Sequence, residues 1–301
     1  MNKTILAKGI DVSRWQGTID WNKVKAAGID FAMIRTGYCG YAGNITQDPQ
    51  FAANMKGAVT AGIDVGVYLY SYAKTASAAK TAAAELLELI APYQLTYPVA
   101  FDIEDEINVA MGKAENTAIC KAFLSTIAGA GYCPILYTSK NFAESSLTMS
   151  DLPYDLWLAH VGTDGAALSS TSYAGEYTIW QYSWKGAVNG ISSDVDLNHG
   201  YKDYPAYIQE NGLNGFGRTE EDPATDLPDR ADKNAVVEDE AQTYTVVKGD
   251  NLTNIAKSFG VPLRCLIQAN QTVTRADGST RKLASPNLIY VGEVLRIPAK
   301  P

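Results

Sequence analysis

Short apolar runs that alternate with helical stretches occupy the first two thirds of the chain. Eight runs of four to seven residues have the length and the β-branched and aromatic content of buried strands. Longer stretches separate the early runs, and this alternation is typical of a parallel sheet or barrel built from βα units. The predicted strands cover residues 9–13, 31–36, 65–71, 99–104, 135–138, 156–160, 178–182 and 195–198.

Helices are predicted at residues 49–61, 73–90 and 115–130, the first with a proline near its start and the second rich in Ala and Leu. The later strands have too little sequence between them for full helices. We therefore expect an α/β fold: an irregular (β/α) TIM-like barrel with a complete βα first half and a nearly antiparallel second half. In such barrels the chemistry lies at the C-terminal ends of the strands.

The distribution of charge marks a boundary after residue 208. Residues 209–243 contain ten acidic and three basic side chains, two prolines and few large apolar residues. Such a run has no hydrophobic period and repels itself, so it predicts an extended linker. We therefore divide the chain into a barrel at residues 1–208, an acidic linker at 209–243 and a small domain at 244–301.

The small domain begins with residues 244–256, which have the pattern of a strand, a turn and the start of a helix. Apolar residues occur at i, i+3, i+4 and i+7 from Leu252 and give this helix one apolar face. A second short helix up to Asn270 and a strand at residues 294–297 complete the pattern. The sequence therefore predicts a small α+β (βααβ) module.

Composition narrows the classes of function. The 301 residues carry a net charge of −8, which argues against nucleic acid or an anionic membrane as the main partner. No run approaches the ~20 apolar residues of a membrane span, and the N-terminus lacks the apolar core of a secretory signal. The four cysteines stand singly, which favours buried free thiols over a zinc site. We expect a soluble monomer.

Two acids one residue apart, Asp102 and Glu104, close the apolar run at residues 97–105. In a strand they point to the same face, with Cα atoms roughly 6.6 Å apart. Two neighbouring carboxyls suit glycosidic bond cleavage, which needs one protonated and one ionised group. Taken alone, such a pair more often lies at an exposed strand end that it merely solvates, so the rest of the chain has to decide.

Other predicted strands also end in polar side chains. Asp11 and Asp196 belong to the first and last strands, so four acids from three strands are expected to converge. Tyrosine and tryptophan side chains accompany them, and sugar rings stack on aromatic faces while their hydroxyls bind carboxylates and amides. The side chains that we expect to contact substrate are Arg35, Tyr38, Tyr68, Tyr70, Tyr137, Trp157 and Gln181.

Five motifs in order resemble glycoside hydrolase family 25, the N-acetylmuramidases of endolysins and autolysins. They are G-I-D-V-S-x-W-Q-G-x-I-D-W at 9–21, D-x-E at 102–104, L-W-L-A at 156–159, W-Q-Y-S at 180–183 and V-D-L-N at 195–198. The resemblance implies an irregular β/α barrel that cleaves the β-1,4 bond between N-acetylmuramic acid and N-acetylglucosamine without a metal or organic cofactor. It places Glu104 as general acid, Asp102 as its partner, and Asp11 and Asp196 as flanking acids.

The chemistry assigns a state to each acid of the pair. Burial and like charge should keep Glu104 protonated near neutral pH, so that it can protonate the leaving sugar oxygen. Asp102 is expected to stay ionised. It then acts either as a nucleophile or as the group that orients the substrate's own 2-acetamido group, and the sequence leaves both routes open.

The small domain resembles a LysM domain, which binds glycans that contain N-acetylglucosamine. The resemblance rests on Y-T-V-x-x-G-D-x-L-x-x-I-A at 244–256 and I-x-V-G-E-V-L-R-I-P at 289–298. It departs from the family at residues 271–285, where the connection is longer and basic. The positions that the resemblance implies for glycan binding are Gly249, Asp250, Asn251, Leu252, Thr253, Asn270, Leu288 and Ile289.

These features together predict a peptidoglycan hydrolase that a LysM module anchors to the bacterial cell wall, with glycan strands as its partner. Two alternatives remain open from sequence: a hydrolase of another N-acetylglucosamine polymer such as chitin, and a wall-binding protein without activity. We expect action on the extracellular side, with release through a holin if the chain is encoded by a phage.

Overall fold

The computed structural model divides into two compact units, residues 1–227 and 228–301. It describes residues 3–216 of the first unit. In the second unit it describes residues 243–247, 250, 252–259, 261, 266, 269–270, 272–275, 279–282 and 289–297.

Eight strands of the first unit close a barrel, and a ninth lies outside it. The barrel order is β1-β9-β8-β7-β6-β5-β4-β2, closed by pairing of β1 with β2, while β3 pairs with β2 alone. All eight predicted strands are confirmed. The strands are β1 Ala7–Val12, β2 Phe31–Cys39, β3 Ile45–Gln47, β4 Asp64–Ser71, β5 Val99–Asp102, β6 Pro134–Ser139, β7 Asp155–Ala159, β8 Ile179–Gly186 and β9 Val195–Gly200.

Seven α-helices accompany these strands among residues 3–216. The three predicted helices are confirmed within three residues at their ends, whereas the four short ones were not predicted because one turn or two shows no hydrophobic period. No helix among the described residues is long and apolar enough to cross a membrane. The helices are α1 Trp21–Ala26, α2 Phe51–Thr60, α3 Ala76–Ile90, α4 Glu106–Val109, α5 Lys113–Gly129, α6 Lys140–Ser145 and α7 Tyr204–Glu210.

The direction of the later strands differs from our expectation. Strands β6, β7 and β8 run parallel to one another, and only β9 is antiparallel to its neighbours. The prediction of a nearly antiparallel second half is therefore wrong. Residues 140–154 and 160–178 are too short for a full crossover helix with its loops, but parallel strands need only about a dozen connecting residues.

Strand β2 continues beyond the barrel rim and forms a hairpin with β3. Its register against β4 shifts between Arg35 and Gly37, which is the mark of a β-bulge. A Cβ atom on Gly37 would lie 2.1 Å from the carbonyl oxygen of Thr46, so only glycine allows the hairpin to approach this closely. The sequence prediction ended the strand at residue 36 and missed this extension.

Alternation along the strands separates an outer from an inner layer. On β5, Phe101 belongs to the core beneath the helices, whereas Ala100 points into the barrel, as predicted. The interior is apolar near the N-terminal ends of the strands and polar near their C-terminal ends. Its apolar part contains Phe31, Met33, Ala100, Ile135, Trp157 and Ile179, capped by Tyr97, Tyr204 and Ile208.

Residues past 208 still belong to the packed barrel. Leu213 and Phe216 contact its capping cluster. Asn214 is fully buried; its side-chain oxygen accepts a bond from the backbone N–H of Cys133 (2.7 Å), and its side-chain nitrogen donates to the carbonyl oxygens of Leu95 and Tyr97 (3.0 Å each). The packed structure thus continues eight residues beyond the predicted start of the linker.

The second unit contains a four-stranded antiparallel sheet in the order β10-β13-β11-β12. The predicted apolar helix face is confirmed, because Leu252, Ile255 and Ala256 are buried. Leu266 and Ala269 are helical, in the region of the second predicted helix. The long basic connection at residues 271–285, to which the sequence analysis assigned no element, contains the antiparallel strands β11 and β12. The elements are β10 Thr243–Thr245, α8 Leu252–Phe259, β11 Thr272–Thr274, β12 Thr280–Lys282 and β13 Val294–Arg296.

Asn214→Ala is expected to lower the free energy of unfolding of the barrel by about 3 kcal/mol, because three buried backbone groups lose their partners. Asn211→Ala is the matched control: it makes the same change at an exposed side chain of the same segment and should cost less than about 0.5 kcal/mol. Denaturant unfolding followed by near-UV circular dichroism measures both. Equal effects of the two variants would contradict the role given to Asn214.

Candidate active site

The four predicted acids converge at the C-terminal ends of the barrel strands. Asp11 on β1 and Asp196 on β9 are directly opposite each other in an antiparallel pair. Asp102 ends β5, and Glu104 follows it. The four groups perturb one another electrostatically, with Asp11 acting on both Glu104 and Asp102.

Asp11 and Asp196 share a hydrogen bond and behave as one carboxyl–carboxylate pair. Burial, followed by the charge of Asp11, raises the pKa of Asp196 to about 9. Burial also raises the pKa of Asp11, but side-chain donors from Asn198 and Gln181 oppose that rise. With a pKa of about 9, Asp196 holds its proton at neutral pH and donates it to Asp11.

Gln181 is the centre of the hydrogen-bond network around this pair. Its side-chain nitrogen donates to the Oδ2 atoms of Asp11 (2.9 Å) and Asp196 (3.4 Å). Its oxygen accepts from the Tyr137 hydroxyl and from Nε1 of Trp184, both at 2.9 Å. Because Gln181 is 1% exposed and both ends of its amide are fully bonded, it positions the acids. Direct contact of Gln181 with substrate stays a prediction.

Asn198 provides the second support for Asp11. Its Nδ2 donates to Asp11 Oδ2 at 2.8 Å, and its Oδ1 accepts from Nε1 of Trp157 at 2.7 Å. Trp157 is 1% exposed and Tyr137 is also buried, so both rings pack within the barrel interior. Their contact with sugar stays a prediction. The sequence prediction missed Asn198, although its position two residues after Asp196 places both on the same strand face.

Asp102 and Glu104 form the second acidic group. Burial, and next the charge of Glu104, raises the pKa of Asp102 well above its usual range, while Arg35 opposes the shift. Burial, and next the charge of Asp11, raises the pKa of Glu104 to about 7. Asp102 is therefore not a simple ionised partner as expected. Burial and repulsion from neighbouring acids thus favour the neutral form of both carboxyls.

The segment that follows Glu104 is held against the end of β4. Asp105 caps α4 by accepting the backbone N–H of Ile107 at 3.0 Å, and it also accepts the Tyr70 hydroxyl at 3.1 Å. Asn108, which is fully buried, donates its amide to the carbonyl oxygen of Ala73 at 3.1 Å. These bonds fix the direction in which the acid-bearing segment leaves the barrel.

Tyrosine rings form a wall beside the acids. The ring of Tyr72 lies 5.1 Å from that of Tyr70 and 5.8 Å from that of Tyr38, and the Arg35 guanidinium lies 5.4 Å from the Tyr70 ring. Tyr68 instead packs edge-on against buried Trp157. The prediction missed Tyr72, which continues the alternation of the tyrosines on β4 one step past the strand end.

Trp184 was missed as well. It is 45% exposed although its indole N–H bonds to Gln181, so it offers a ring face to the cleft.

In the second unit, two of the residues predicted to bind glycan are structural. Leu252 is buried in the core, and Asn270 is 1% exposed with its amide bonded to backbone atoms of Leu266 and Arg296. Asp250 accepts the Tyr244 hydroxyl and a backbone N–H, and Ile289 is partly buried. Gly249, Asn251, Leu288 and the side chain of Thr253 lie outside the described residues.

Comparison with curated proteins finds lysozymes. The chain is 31% identical over 203 residues to Lysozyme M1 of Streptomyces globisporus, with 64% of this chain and 66% of that protein covered. It is 29% identical over 193 residues to the autolytic lysozyme of Clostridium acetobutylicum, with 64% of this chain and 55% of that protein covered. The matches thus span less than two thirds of either relative.

Solved structures and family models agree with these relatives. The crystal structure of the bacterial lysozyme from Streptomyces coelicolor has a TM-score of 0.54 and 27% identity, and covers 69% of this chain and 96% of that one. The LysM domain model matches residues 244–298. The model of Glycosyl hydrolases family 25 matches residues 10–191 and confirms the predicted resemblance. The chain therefore belongs to glycosyl hydrolase family 25.

Proposed function

We propose that this protein is a lysozyme that cleaves the β-1,4 bond between N-acetylmuramic acid and N-acetylglucosamine in peptidoglycan. The observation that carries the proposal is the pair of acids Glu104 and Asp102 beside the wall of tyrosines. Glu104 has a pKa of about 7, and Asp102 is buried next to it. The substrate of such an enzyme places its action at the bacterial cell wall.

Glu104 is the proposed general acid. A carboxyl with a pKa near the working pH holds its proton in the free enzyme and still releases it to the leaving sugar oxygen as the bond breaks. Its elevated pKa comes mainly from burial, and next from the negative charge of Asp11. Asp11 therefore supports the acid from a distance.

Asp102 has one oxygen, Oδ1, that is buried and has no partner among the described residues. That oxygen is an unsatisfied acceptor, which a substrate group in the cleft would satisfy. It can accept the N–H of the 2-acetamido group while the acetamido oxygen attacks the anomeric carbon, or it can attack that carbon itself. In both routes the proton of Glu104 goes to the leaving oxygen. A water molecule then attacks the anomeric carbon and breaks the bond formed in the first step, while the Glu104 carboxylate takes the proton of that water.

The Asp11–Asp196 pair carries a single negative charge at the C-terminal end of the barrel interior. Gln181 and Asn198 hold that charge in place with three bonds to Asp11 and Asp196. The positive charge that develops on the sugar ring in the transition state is stabilised by a fixed negative charge in a site of low dielectric.

The LysM module is proposed to bind the wall and to take no part in the chemistry. The described residues of the second unit supply a compact core of their own. Linking such a module to the barrel raises the local concentration of the barrel on an insoluble substrate.

Glu104→Gln is expected to reduce the rate of wall hydrolysis about a hundredfold or more, because it removes the proton donor and keeps the size of the side chain. Glu106→Gln makes the same change two residues away on an exposed side chain and should leave the rate within about twofold. Release of reducing ends from purified peptidoglycan measures both. If Glu104→Gln retained activity within about threefold of wild type, a different group would be the acid.

Activity is expected to fall as pH rises through about 7, because the general acid must be protonated and the pKa of Glu104 is about 7. The pH profile of kcat/KM on soluble glycan strands shows this alkaline limb. Asp11→Asn should move the limb to lower pH, since it removes the second cause of the raised pKa. An unchanged limb in Asp11→Asn would contradict the electrostatic link between these two acids.

A chain that ends at residue 216 is expected to keep kcat/KM on soluble glycan strands within about twofold. On intact walls its activity should fall about tenfold or more, because the second binding event is lost. Sedimentation with insoluble peptidoglycan checks that residues 243–301 alone still bind. Loss of activity on soluble strands as well would show that both units form one catalytic body.

A further inference from the structure

A cavity of about 270 Å³ lies beyond the tyrosine wall, between the β2–β3 hairpin and the end of β4. It is lined by Tyr38, Gly40, Tyr41 and Tyr72. Tyr72 also contacts Tyr70, whose hydroxyl bonds to Asp105 next to the proposed acid. The cavity is therefore continuous with the wall of the cleft, although none of the proposed chemistry uses it.

The walls of this cavity are held firmly. The backbone N–H of Tyr72 donates to the carbonyl oxygen of Cys39 at 3.0 Å, which ties the end of β4 to the hairpin. On the other side, Glu85 of α3 accepts the backbone N–H of Ile45 at 2.8 Å and the side chain of Asn44 at 3.2 Å. A rigid aromatic cavity loses little entropy when it binds a flat ring.

A cation stands at the edge of the cavity. The Nζ atom of Lys74 lies 4.1 Å from the centroid of the Tyr41 ring, and Tyr41 is 58% exposed. The salt bridges found among the described residues do not include Lys74. Its ammonium group contacts the Tyr41 ring and can also pair with a carboxylate at the edge of the cavity.

This combination fits one kind of sugar. The apolar face of a pyranose ring stacks on tyrosine, and a carboxylate on that sugar pairs with an ammonium group. A muramyl residue carries an ether-linked lactyl group that ends in a carboxylate, or in a peptide with carboxylates of its own. An unmodified polymer of N-acetylglucosamine carries none.

We propose that Tyr38, Tyr41, Tyr72 and Lys74 form a sugar subsite that selects the anionic muramyl residue. This inference rests on the proposed function, because it assigns a specificity element to the same cleft. It also supplies a contact that distinguishes the two polymers, since the β-1,4 bond and the 2-acetamido group that the carboxyls address are present in chitin as well.

Charge reversal at Lys74 tests the subsite. The substrates are peptide-free glycan strands, with one lactyl carboxylate per disaccharide, and the same strands after methyl esterification. Lys74→Glu should raise KM for the anionic strands about tenfold and leave kcat within about twofold, and 0.5 M salt should shrink the effect. On the esterified strands it should match wild type within about twofold.

Lys80→Glu is the matched control, because it makes the same charge change on an exposed side chain of α3, six residues further along the chain. It should not change KM for either substrate by more than about twofold. Tyr41→Ala should raise KM about fivefold for both substrates, since stacking does not depend on the carboxylate.

The results separate the two proposals. If wild type cleaves the strands and Lys74→Glu behaves like Lys80→Glu, or affects the anionic and esterified strands equally, the subsite is refuted and the lysozyme proposal stands. If wild type releases no muramyl reducing ends from either substrate, the proposed function fails, and the subsite fails with it.

Discussion

The site depends on one electrostatic constraint, which is that several carboxyls lie together out of water and cannot all be ionised. The pKa values of Glu104, about 7, and Asp196, about 9, express this constraint. Each group that keeps a proton does so first because it is buried and next because a neighbour is charged. The network around Gln181 decides where the charge stays, by giving its donors to Asp11 and Asp196 and its acceptor oxygen to Tyr137 and Trp184.

The packing of the barrel interior creates this constraint. Large apolar side chains occupy the interior near the N-terminal ends of the strands, so water is excluded from below the acids. The antiparallel course of β9 then brings Asp196 directly opposite Asp11. Had β9 run parallel, its C-terminal end would carry different residues to the rim. The one reversed strand is thus what pairs the two flanking acids.

Sequence patterns predicted the parts that depend on local periodicity. The alternation at residues 99–104 fixed the common face of Ala100 and Asp102, and the helix at 76–90 followed from its composition. The sequence patterns did not show which polar side chains are exposed to solvent. Gln181 and Trp157 lie at strand ends, as substrate contacts would, but they are saturated by partners from other strands. Burial of that kind depends on contacts between residues distant in sequence.

Contacts between residues distant in sequence also decide the roles of residues in the second unit and at the rim of the cleft. Asn270 belongs to a motif associated with glycan binding, yet its amide bonds Arg296 on β13 and so fixes the fold. A residue can belong to a motif because its side chain bonds the backbone and holds the fold. The ligand then contacts other residues of the motif. At the barrel rim the opposite holds, because Tyr41 and Lys74 belong to no quoted motif. The pairing of β2 with β4 beyond the Gly37 bulge brings their hairpin and strand end together. Residues outside a family's motifs are therefore where a member of this family can differ from others in substrate choice.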